Sequence, residues 1–101
     1  MVIEELTITI DPVERDQFLD LDQAIWTPFL AAQSGFVRKE VWLPEGRPDT
    51  IVLVIHWTSM TAWKAITPDQ VVAVDAKMGR FAEAPLVCRA YQVHNSTPPD
   101  P

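Results

Sequence analysis

A chain of 101 residues has room for one modest core, since at this size roughly two-thirds of the unfolded chain's surface is buried. Fourteen acidic residues against eight basic ones give a formal charge of −6, and the basic residues are scattered, with Arg38-Lys39 the only adjacent pair. Nucleic acid and an anionic membrane surface are disfavoured as partners, because both need a clustered positive footprint. The start, MVIEE, lacks the basic-then-apolar order of a signal peptide, and no run approaches the ~18 apolar residues of a membrane span. Cys88 is the only cysteine, which suits a reducing compartment; a cytoplasmic location is the expectation.

Residues 2 to 10, rich in Ile, Val and Thr, predict a first strand, with Val2, Leu6, Ile8 and Ile10 on one face and Glu4 as its polar exception. Asp11-Pro12-Val13-Glu14 then starts a helix: Asp11 as cap, Pro12 at the first helical position, Glu14 as a capping-box partner. Phe18, Leu21, Asp22, Ile25, Trp26, Phe29 and Leu30 recur at three-to-four spacing, giving an amphipathic helix with one acidic intruder. Pro28 should kink it or restart it near Thr27, and Gly35 is available for a left-handed end.

Phe36 to Leu43 predicts a second strand, with Phe36, Arg38, Glu40 and Trp42 opposite Val37, Lys39, Val41 and Leu43. A Pro- and Gly-containing loop, residues 44 to 49, leads into residues 51 to 57, the most apolar strand and hence a central one. The second helical region divides at Thr67-Pro68. A short piece carries Trp63 and Ile66; a longer one places Val71, Val72, Val74, Asp75 and Met78 on or near one face. Leu86 to His94 is the last strand. Residues 1–94 form one domain in this reading, and 95–101 a flexible tail.

This order is β-α-β-β-α-β: an α+β, ferredoxin-like fold, a four-stranded antiparallel sheet with two helices on one face. Both faces of the strands carry apolar side chains, yet helices cover one. A second copy is the economical cover for the other, so the expectation is a homodimer whose two sheets make a dimeric α/β barrel.

The stretch SGFVRKEVWL, followed by a Pro-, Gly- and Asp-containing loop and then IVLVIHWTSMTAW, resembles the dimeric α/β-barrel proteins of the antibiotic-biosynthesis-monooxygenase type, and within them short uncharacterised cyanobacterial members. Gly35, Trp57 and Trp63 fall at the family's characteristic places, and the likeness spans about residues 2 to 94. It implies the fold and the dimer, and for activity it implies cofactor-independent oxygenation of polycyclic aromatic substrates, haem degradation, or no known reaction. The haem-degrading members use a first-strand Asn, a second-helix Trp and a later His. Here no Asn lies on the first strand, and Ile66 and Ala76 stand at the other two places, so haem cleavage by that mechanism is not expected.

His56 is the candidate catalytic residue, a titratable group near neutrality beside Trp57. Trp26, Trp42, Trp57, Trp63 and Tyr91 are candidate walls of an apolar pocket, and Arg38 and Arg89 candidate anchors for an anionic or phenolate ligand. His56 and His94 stand about two strand spacings, ~10 Å, apart, too far to share a metal without a glutamate such as Glu4 or Glu5 between them; no metal site is expected. Three glycines and no phosphate loop, HExxH or CxxC leave no case for a nucleotide or other cofactor. Three readings fit: a homodimer binding a small hydrophobic or aromatic molecule, a cofactor-independent monooxygenase, and a structural or interaction protein with a filled barrel.

Overall fold

Strand β1 (Val2–Thr9) lies at the heart of the sheet, paired antiparallel on one side with β3 (Thr50–Trp57) and on the other with β4 (Leu86–Gln92). β2 (Phe36–Trp42) flanks β3, giving the order β2-β3-β1-β4 in the computed structural model, which describes residues 1–99. The architecture is the expected α+β ferredoxin-like one, with the helices on one face. In the single chain the sheet is open, and β2 and β4 are its edges.

Helix α1 (Arg15–Ala31) is preceded by a 3-10 turn, Pro12–Glu14. Asp11 caps that turn by accepting from the Val13 N–H at 3.0 Å. Glu14 does not close a capping box; its carboxylate accepts from Arg80 at 3.1 Å instead. Pro28 neither ends nor restarts α1. It sits one turn from the end, where the loss of a single i to i−4 bond is tolerable, and Gln33 Nε2 donates to the Phe29 carbonyl at 2.9 Å.

Gly35 has φ of 86°, and a Cβ there would collide with Ala62 and Thr58. The position therefore needs glycine for its backbone and for its closeness to α2 (Met60–Lys64). Thr67 and Gln70 form a reciprocal capping box at the start of α3 (Pro68–Asp75), confirming the division of the second helical region. Its apolar face is narrower than expected: Val74 is buried, whereas Val72 is 68% exposed. Two 3-10 turns across Ala76–Glu83, broken at Gly79, bury Met78 and Phe81.

Directly opposed residues in antiparallel strands share a face, and successive residues alternate. The register places Glu4, Leu6, Ile8, Ile51, Leu53, Ile55 and Trp57 beneath the helices, where most of them join Phe18 and Leu30 in the core. A shift between Phe36 and Arg38 breaks the expected alternation of β2. Phe36 packs edge-on against the fully buried Trp57 on the helix side, while Arg38, Glu40 and Trp42 stay on the other face. β4 ends at Gln92, two residues sooner than expected, although the Val93 N–H still reaches the Met1 carbonyl at 3.0 Å. Of the expected tail, 95–99 carry no helix or strand, and 100–101 lie outside the described residues.

Candidate active site

The helix layer does not seal the sheet. It leaves a cavity of about 660 Å³ between the two, large enough for a multi-ring organic molecule. Leu6, Ile8, Leu53 and Ile55 form its floor; Phe18, Trp26 and Leu30 of α1 and Trp63, Ile66 and Val71 of the second helical region form its walls. β4 is exposed along its length, so the cavity opens beside Leu86 and Cys88. The walls are apolar because they are the core-facing stripes of both helices, and among the described residues the helices leave β4 exposed.

Ionisable side chains interrupt this lining: Glu4, Asp22, Lys39, Lys64 and Asp75, with the Cys88 thiol. Glu4, partly buried in the floor, accepts from the indole N–H of Trp57 at 3.1 Å. Burial pushes its carboxyl above the ordinary 4.5, against the Trp57 hydrogen bond and then the positive charges of Lys64 and Lys39, which pull it down. At the rim, burial raises the Cys88 thiol too, and the charge of Glu4 adds to the rise. Opposite, Asp22 of α1 and Lys39 of β2 form an ion pair, Nζ to Oδ2 2.5 Å, with side chains only 2% and 5% exposed. Lys39 also donates to the Thr27 hydroxyl at 2.8 Å, which in turn donates to Gln23 at 3.3 Å. The second carboxylate oxygen of Asp22, Oδ1, is buried with no hydrogen-bond partner among the described residues.

The sheet divides the side chains singled out from sequence. Trp26 and Trp63 line the cavity, and Trp57 lies beneath it as the donor to Glu4. His56, Arg38, Trp42, Arg89 and Tyr91 stand on the opposite face, so the eight do not surround one space. There His56 Nε2 lies 3.0 Å from Glu40 Oε1, its Nδ1 is buried without a partner among the described residues, and Arg38 approaches the same carboxylate at 4.0 Å. Ile3, and neither glutamate, stands opposite His56 and Tyr91. Among the described residues no three His, Cys, Asp or Glu side chains gather into a metal site, and no helix is long and apolar enough to cross a membrane.

Over residues 1–67 the sequence matches the family of antibiotic biosynthesis monooxygenases. The chain belongs to that family. Solved structures with the same fold include a mutant of SnoaB, a cofactor-independent oxygenase from Streptomyces nogalater, with 20% identity, 96% of each chain covered and a TM-score of 0.69. ActVA-Orf6 of Streptomyces coelicolor, a monooxygenase solved with the ligand nanaomycin D, is 11% identical, with 94% of this chain and 88% of that one covered and a TM-score of 0.77. Rv0793 from Mycobacterium tuberculosis is 18% identical over 94% of this chain and 96% of its own, with a TM-score of 0.70. No characterised protein matches significantly by sequence. In this chain, the residues hardest to find from sequence are Asp22 and Lys39. One signal was available: an acidic residue in an otherwise apolar helix stripe must find a cation or a hydrogen-bond donor when it is buried.

Proposed function

We propose that this protein is a cofactor-independent monooxygenase acting on a polycyclic aromatic substrate held between the helices and the sheet. The observation that carries the reading is the largely apolar cavity of about 660 Å³, with Glu4 in its floor and the Asp22–Lys39 pair in its wall, in a chain of this family. Substrates suited to such chemistry have an acidic C–H or O–H whose removal leaves a delocalised, electron-rich anion. Glu4 is placed to accept that proton. Its carboxyl lies in the floor, burial raises its basicity, and Trp57 fixes one of its oxygens. Apolar walls favour the flat substrate and keep bulk water from the anion.

The reaction balances without an external reductant. A ring CH2 activated by a neighbouring carbonyl loses both hydrogens, and one atom of O2 becomes the new carbonyl oxygen. The other atom leaves as water with the two hydrogens, and the substrate supplies all four electrons. Anthrone, a tricyclic molecule with such a CH2, is a suitable probe. With 18O2 and a chelator present, the protein should speed oxygen uptake and place one labelled oxygen in the anthraquinone formed. Uptake no faster than in buffer, over a range of such substrates, would remove the catalytic reading and leave binding alone.

The same reading takes the chain as a homodimer. On the sheet face away from the helices, Trp42, Val87 and Tyr91 are about half exposed, around the buried Val54 and His56. A second sheet laid against this face would cover them and form the dimeric barrel.

A further inference from the structure

The Asp22–Lys39 pair is an unusual feature for a cavity wall. Exchanging a buried ion pair for apolar side chains of similar size is often neutral or stabilising, so stability alone gives little reason for one here. The pair is also incompletely satisfied. Asp22 Oδ2 is held by Lys39, while Oδ1 is buried and has no partner among the described residues, although Asp22 lines the cavity. An ammonium group has three protons; that of Lys39 donates to Asp22 and Thr27, which leaves it the capacity for one acceptor more. Lys39 lines the cavity too. An unpartnered acceptor and an ammonium thus stand side by side in the cavity wall, on two different elements, α1 and β2, and each is held by the other's charge.

A single hydroxyl group complements both, donating to the carboxylate oxygen and accepting from the ammonium. We infer that the Asp22–Lys39 pair is a specificity anchor that selects aromatic ligands bearing a free hydroxyl over those in which it is absent or alkylated. This rests on reading the cavity as an aromatic-binding site and adds to it which aromatics are taken. It also assigns Asp22 a positioning role separate from the proton transfer ascribed to Glu4. A bound phenol would fill the vacant hydrogen-bonding position of Oδ1 and orient the ring system across the floor, whereas a methyl ether would leave Oδ1 unpaired and crowd it with a methyl group. Leaving such a buried acceptor unmatched is what makes polar anchors selective.

Calorimetric titration with naphthalene, 1-methoxynaphthalene and 1-naphthol tests this directly. The native protein should bind 1-naphthol about tenfold or more tighter than 1-methoxynaphthalene, the usual size of a hydrogen bond to a charged group. In the double variant Asp22→Leu with Lys39→Met, which keeps the volume and leaves no lone charge, that preference should vanish while naphthalene still binds. Equal affinities of the native protein for naphthol and its ether, or a preference that survives in the double variant, would overturn the anchor while leaving the aromatic cavity standing. Failure of the native protein to bind any of the three would overturn the cavity reading and the anchor with it.

Discussion

Glu4 and Glu5 are neighbours in β1, yet they sit on the two sides of the sheet and in opposite surroundings. Glu4 faces the helices, bonded to Trp57 on the floor of an apolar cavity. Glu5 faces the open side, across from Val54 and Arg89. The same contrast separates the two cation–carboxylate groups of β2. Lys39 and Asp22 are almost wholly buried, whereas Arg38 and Glu40, next to His56, are nearly half exposed. One side of the sheet holds charges where water is scarce, and there each charge acts strongly on its neighbours; burial raises the Glu4 carboxyl above its ordinary value. The other side holds them in the wet rim of an apolar patch, where they contribute little to stability and suit a surface that meets another protein.

Substitutions on each side can break or sharpen this contrast. The largest loss is expected from Lys39→Met alone, which strands the Asp22 carboxylate in the core: about 3–5 kcal/mol by urea unfolding, most of it recovered when Asp22→Leu is added. A loss of about 1 kcal/mol or less would mean that water reaches the pair. Gly35→Ala should cost about 1–3 kcal/mol through its crowding of Ala62 alone, with the left-handed backbone adding to it. On the open face, Val87→Asp should alter stability of the folded chain by no more than about 0.5 kcal/mol, yet halve the mass measured by light scattering if that face carries the dimer. An unchanged mass would move the interface elsewhere. His56→Ala should lower stability and leave anthrone turnover unchanged; lost turnover in a well-folded dimer would carry the chemistry to the open face.

The smallest stability effect concerns Glu4. Because burial raises its folded pKa above the ordinary 4.5, the folded state holds the proton more tightly than the unfolded one. Stability therefore falls as pH rises from about the ordinary value through the raised one. Glu4→Gln keeps an oxygen for the Trp57 N–H and removes the buried charge. It should melt slightly higher than the native protein at pH 7, and the gain should disappear below the ordinary glutamate value.

Much of the fold was legible because its signals are local. Thr67-Pro68 at the head of α3 and the apolar run of β3 name their own elements. The family likeness was carried by the same stretch, around Gly35 and Trp57. The site was less legible because it depends on which way a strand turns. A one-residue shift near Val37 moves Phe36 to the side of Lys39, and no local pattern announces it. His56 and Trp57 are adjacent in sequence and therefore face opposite ways, so joining them in one pocket required the sheet to be transparent. Glu4 stood out as an exception on an apolar face, and Asp22 as another. Their meaning needed the third dimension, in which Trp57 and Lys39 arrive from other elements to meet them.

The most direct test of the central claim is the pH dependence of anthrone oxidation, relative to buffer, by the native protein and by Glu4→Gln. A proton acceptor on the cavity floor predicts that native turnover falls on the acid side with a midpoint above 4.5. It also predicts that the variant, though at least as stable, loses about 10²–10⁴-fold in rate along with that acid limb. A variant that turns over at the native rate with the same acid limb would contradict it.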